Sequence, residues 1–89
     1  MLVEWTHEAE KDLLKIEDYL IENWDYNVLE DFLNLLDIAI EILIEGKTEF
    51  ERYKDTEYRK YLLTKHNYLI YHKLEDRIII LKLINVSSG

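Results

Sequence analysis

At 89 residues the chain has room for one hydrophobic core and not two, since domains usually run to roughly 100 residues or more, so residues 1–89 are read as a single domain. Hydrophobic residues make up 48% and cysteine is absent, which excludes intrinsic disorder, a disulfide framework, a thiolate metal site and a thiol nucleophile, and points to a reducing cytoplasm. The net charge of −8 argues against a uniformly basic nucleic-acid surface, but it is divided: residues 1–46 carry two basic and thirteen acidic side chains, a net −11, and residues 47–89 nine and six, a net +3.

Leu2–Trp5 reads as a short opening strand. From Thr6 the pattern turns helical, with Ala9, Leu13, Ile16 and Leu20 on one face. The Thr6 hydroxyl is placed to cap an unpaired backbone N–H, and Glu8 and Glu10 suit the positive end of the helix dipole. This helix should end near Asn23. A second starts at Asp25 or Asn27, with Glu30 placed to complete a capping box to Asn27. Leu29, Phe32, Leu36, Ala39 and Leu43 form its apolar stripe, widened by Leu33, Ile40 and Ile44, so it should touch both the first helix and a sheet. Gly46 is suited to end it in the left-handed conformation.

Beyond Gly46 the helical period gives way to short runs rich in Tyr, Ile and Leu. Strands are expected at Glu51–Lys54, Tyr58–Thr64, Tyr68–Leu74 and Arg77–Val86. Lys65-His66-Asn67 and Glu75-Asp76 are short enough for hairpin turns, making these strands antiparallel neighbours. The last is apolar on both faces and should be central. The expected class is α+β in the order β-α-α-β-β-β(-β), with a helical hairpin on one face of a mainly antiparallel sheet. Met1-Leu2-Val3-Glu4-Trp5 lacks a basic region followed by an apolar run, and charge interrupts every apolar stretch, so no targeting or membrane-spanning segment is expected.

This order, with Val3-Glu4-Trp5-Thr6, Trp24-Asp25, Tyr58-Arg59-Lys60-Tyr61-Leu62-Leu63, Tyr68-Leu69-Ile70-Tyr71-His72 and Ile78-Ile79-Ile80-Leu81, resembles the RelE/ParE toxins of type II toxin–antitoxin modules, also called plasmid stabilisation proteins. The resemblance covers almost the whole chain. It implies a growth-inhibiting bacterial toxin restrained by an antitoxin protein, as a toxin–antitoxin hetero-oligomer or with self-association, and acting on DNA gyrase (ParE-like) or, on the ribosome, cleaving mRNA (RelE-like). The long second helix and Trp24-Asp25 lean toward the ParE-like branch.

Metal-free RNA cleavage needs a base, a cation for the developing phosphorane charge and an acid. Arg59, Lys60, Lys65, His66, His72 and Lys82 offer such groups; Arg59, Lys60, His66 and His72 are the candidate catalytic residues. Only Arg59 sits where the family carries a recurring arginine, and a guanidinium suits phosphate. Each candidate has an ordinary alternative: a cross-strand ion pair for Arg59, solvation in a turn for His66, packing on a strand for His72. The three histidines lack metal-ligand spacing, so no metal is expected, and no cofactor. Tyr53, Tyr58, Tyr61, Tyr68 and Tyr71 interleave with cations, as in base-stacking surfaces, but strands favour Tyr for packing alone. Active RelE-like nucleases carry further basic or aromatic residues after the last strand, where this chain has Val86-Ser87-Ser88-Gly89. The expectation is therefore action by binding a target such as gyrase, with ribosome-dependent endoribonuclease activity, or a degenerate partner-binding role, as alternatives.

Overall fold

A computed structural model describes residues 1–87; Ser88 and Gly89, part of the expected departure at the C-terminus, lie outside the described residues. Six elements follow in order: β1 (Leu2–Trp5), α1 (His7–Asn23), α2 (Tyr26–Glu45), β2 (Arg59–Thr64), β3 (Asn67–Lys73) and β4 (Arg77–Asn85). The helix limits follow from local chemistry. The Ala9 N–H donates to the Thr6 hydroxyl oxygen at 3.1 Å, satisfying one of the four donors a helix start leaves open. Asp25, rather than Asn27, caps α2, accepting from the Val28 N–H at 3.1 Å. Asp25 is extended and Asn27 already lies inside the helix, so the Asn27–Glu30 box does not form. Gly46 stops α2 at φ 66°, a conformation that costs glycine little.

The four strands form one mixed sheet in the order β1-β4-β3-β2. β2, β3 and β4 are joined antiparallel by tight turns, while β1 runs parallel to β4, a pairing that the intervening helical hairpin makes feasible. The expected strand Glu51–Lys54 is not one: it makes a single antiparallel bridge, Arg52 to Arg59. The chain turns away at once, because Lys54 adopts φ 53° and the Tyr53 N–H closes onto the Tyr58 carbonyl at 2.8 Å. Thr56 tightens this turn, its hydroxyl oxygen accepting from the Tyr58 N–H at 3.1 Å.

The helices cover one face. Ala9, Phe32, Leu36, Ala39 and Leu43 pack with Leu63, Leu69, Tyr71, Ile78, Ile80 and Leu83. Burying residues such as Leu69, Ile78 and Ile80 contributes on the order of 1.5–3 kcal/mol each. The register of β3 on β4 shifts between Ile70 and Tyr71, so that Tyr71 faces Ile80 but Ile70 faces Lys82. This bulge changes the phase of β4: Ile78, Ile80 and Leu83 all reach the helix-side core, and Lys82 is turned to the other face. Ile70 is fully buried yet belongs to that other face, between Lys60 on β2 and Lys82 on β4.

Candidate functional site

The two helices do not close on each other along their length. α1 rests on β4 and α2 on β2, and between them a cleft of about 910 Å³ opens toward the β2–β3 turn. Ile16, Tyr19 and Leu20 of α1 face Val28 and Leu35 of α2 across it, with Trp24 at the bend between the helices. Of the expected α1 stripe only Ala9 is fully buried; Leu13, Ile16 and Leu20 stay half-buried. Trp24 is 63% and Tyr26 74% exposed, unusual for large aromatics, which normally bury most of their area. Tyr19, Leu35 and Ile38 extend this apolar surface.

Asp12 at the cleft wall has a structural duty. Beyond Trp5 there is no β1 to pair with β4, and α1 substitutes for it: the Thr6 N–H donates to the Ile80 carbonyl at 3.0 Å, the Thr6 hydroxyl to the Leu81 carbonyl at 2.7 Å, and the Leu83 N–H to the Asp12 carboxylate at 3.0 Å. Helix α1 is thereby fixed to the sheet by polar contacts while its apolar stripe remains half open.

Of the four sequence candidates, Arg59 and His72 are brought to one pocket, while Lys60 and His66 lie elsewhere. Arg59, opposite Tyr71, is paired with Glu49 and donates to the Phe50 carbonyl at 3.1 Å, so it staples the loop after α2 onto the start of β2. The ordinary alternative expected for it, an ion pair, is present, but with a loop residue rather than across the strands. Arg59 and His72 border the same pocket of about 370 Å³, with Glu49, Glu57, Lys73 and the buried Tyr71. Burial pushes the Tyr71 phenol up, and the Arg59 charge only partly opposes it. His72 is half-buried, edge-on to Tyr58 with centroids 5.0 Å apart. Lys60 lies on the helix-free face, 3.7 Å from Glu51 and with its ammonium 4.8 Å from the centre of the Tyr68 ring. His66 is exposed in the β2–β3 turn, at the opposite end of that hairpin from Arg59, and lines the cleft. Among the described residues no group of three or more His, Asp or Glu could hold a metal ion, and no helix is long and apolar enough to cross a membrane.

Sequence reading missed both the cleft and a cluster on the helix-free face, where the Lys54 and Lys82 ammonium groups each lie 5.2 Å from the centre of the Tyr53 ring. The cleft left one signal: Leu14, Tyr19, Ile21, Leu35 and Ile38 are apolar residues outside the stripes, more than two helices resting on one sheet can bury.

Comparison with curated protein sequences finds no significant match. Among solved structures, the fold is shared with a chain of the chromosomal ParDE toxin–antitoxin system from P. aeruginosa at TM-score 0.79 and 17% identity, covering 97% of this chain and 96% of that one. A copper-bound mutant toxin from Helicobacter pylori follows at 0.72 and 18%, covering 99% and 97%, and a chain of the E. coli DinJ-YafQ complex at 0.64 and 15%, covering 97% and 93%. A family model described as the ParE toxin of type II toxin-antitoxin system, parDE, matches residues 3–88, and the chain therefore belongs to the ParE toxin family.

Proposed function

We propose that this chain is a cytoplasmic toxin that inhibits growth by binding a macromolecular target such as DNA gyrase, and that an antitoxin restrains it by docking in the cleft of the helical hairpin. The observation that carries the antitoxin reading is the open apolar cleft itself. A contiguous exposed apolar surface of this kind marks a protein-binding site, and a similar fold occurs in the E. coli DinJ-YafQ toxin-antitoxin complex. Binding is favoured over hydrolysis because only Arg59 and His72 of the four candidate catalytic groups share a pocket, and both are engaged there by other side chains. Arg59 is neutralised by Glu49, His72 is packed on Tyr58, and His66 sits at the far end of the β2–β3 hairpin. General acid–base catalysis needs its groups within hydrogen-bond reach of one reacting centre.

The deciding experiment is induced expression with and without the protein encoded beside this chain's gene, followed by assays for trapped gyrase–DNA complexes and for cleaved mRNA. Growth arrest with trapped complexes, relieved by the neighbouring protein, is the expected result. Cleaved mRNA that persists in wild type and vanishes in Arg59→Ala would replace the binding reading with the endoribonuclease one. Unimpaired growth with abundant folded protein would leave only a partner-binding role.

A further inference from the structure

We propose that Tyr53, Lys54 and Lys82 form a binding site for a phosphate monoester dianion on the helix-free face of the sheet. The argument begins with charge. The chain has 19 acidic and 11 basic residues; Lys47, Arg59 and Lys60 each pair with one carboxylate and Arg77 with two, Glu4 and Asp76. Lys54 and Lys82 are among the seven cations that pair with none among the described residues, and they are the two that share a ring. Among the described residues neither ammonium has a carboxylate within ion-pair distance, yet both are gathered on one aromatic ring, 5.2 Å from its centre. Two like charges held together repel, and ring contacts offset that only weakly.

The backbone enforces the arrangement. Lys54 is the sole non-glycine residue with positive φ among the described residues, at 53°, a conformation uncommon for a lysine. The turn that imposes it is closed by the Tyr53–Tyr58 hydrogen bond and by Thr56. Lys82 reaches the same ring because the bulge in β4 turns it away from the core. Tyr53 is 9% exposed. Burial works to raise its pKa, but hydrogen bonding and charge from Lys54 and Lys82 outweigh it and hold the phenol below its ordinary value.

Two ammonium groups without a carboxylate partner, each 5.2 Å from the centre of one phenol ring, together with that ring's hydroxyl suit a tetrahedral oxyanion that carries two negative charges and several acceptor oxygens. A phosphate monoester has both properties near neutral pH, whereas a phosphodiester or a carboxylate brings one charge. The nearby acids do not fill the site: Glu51 is held by Lys60, and Asp55 and Glu57 are exposed and paired with neither lysine. The acidic hairpin lies across the sheet, and its field is screened beyond about 8 Å at physiological salt. The site does not depend on the toxin reading.

Titration of the full chain with inorganic phosphate, a nucleoside monophosphate, and a short oligothymidylate with and without a 5′-phosphate tests the proposal, read by calorimetry at matched ionic strength. Saturable binding is expected for inorganic phosphate and the monophosphate, weakening as pH falls below the second phosphate pKa of about 6. Lys54→Gln and Lys82→Gln should each weaken it by about tenfold, with Tyr53→Phe smaller; Lys54, on an exposed turn, serves if the Lys82 variant folds poorly. If the 5′-phosphorylated strand binds and its unphosphorylated counterpart does not, the natural ligand is a nucleic-acid end; if only the small phosphates bind, it is a free metabolite. Absence of binding beyond that of matched chloride, or undiminished binding in Lys54→Gln, would overturn the proposal.

Discussion

Helices α1 and α2 look alike in sequence, each amphipathic and each capped by a side-chain oxygen, yet α2 buries five residues and α1 only Ala9. The difference is one of attachment. α2 is held by apolar packing of Phe32, Leu36, Ala39 and Leu43 on the sheet. α1 packs Ala9 into the core and Leu13, Ile16 and Leu20 against it, adds the polar contacts from Thr6 and Asp12 to the uncovered edge of β4, and keeps Ile16 and Leu20 half open at the cleft. Polar attachment thus lets a helix hold its place while much of its apolar stripe is only half covered.

The contrast can be broken most strongly at Phe32. Phe32→Ala should destabilise the free chain by about 3–5 kcal/mol, because it empties a packed position, and denaturant unfolding measures this directly. Asp12→Ala should cost about 1–3 kcal/mol by leaving the Leu83 N–H without an acceptor, visible as a lowered unfolding midpoint. Thr6→Ala, which removes the α1 cap, should cost about 1 kcal/mol; faster hydrogen exchange confined to the first turn of α1 would sharpen the assignment. Smallest of all, Trp24→Ala should change the free chain's stability by no more than about 0.5 kcal/mol while weakening antitoxin binding by at least about tenfold. Equal losses of stability from Phe32→Ala and Trp24→Ala would abolish the distinction between a closed α2 and an open α1.

Much of this architecture was legible because it rests on local rules. Thr6, Gly46, the α2 stripe and the Glu75-Asp76 turn each carry their signal within a few residues. Readings failed where tertiary contacts decide. Glu51–Lys54 has the composition of a strand but lacks a continuous neighbour, and the left-handed Lys54 ends it. Strict alternation along β4 would put Lys82 on the same side as Ile78 and Ile80; only pairing with β3 reveals the extra residue that turns it outward. The candidate site was least legible. Arg59 stands out in the sequence by its place at the family's recurring arginine, but its pairing with Glu49, ten residues earlier, depends on how the intervening loop folds back. The cleft is a space between elements, and a linear pattern records which residues are apolar but not which remain uncovered.

The contact between Asp12 and the Leu83 N–H, described as part of what secures α1, also makes that amide a built-in gauge. It ties helix position to a single strand proton through a bond of 3.0 Å, so a displacement of α1 is expected to lengthen it. The Leu83 amide resonance should therefore shift, and its exchange with solvent slow, as the neighbouring cleft fills. Occupancy of the hairpin could then be followed in the unlabelled partner's presence from one signal, without modifying either helix.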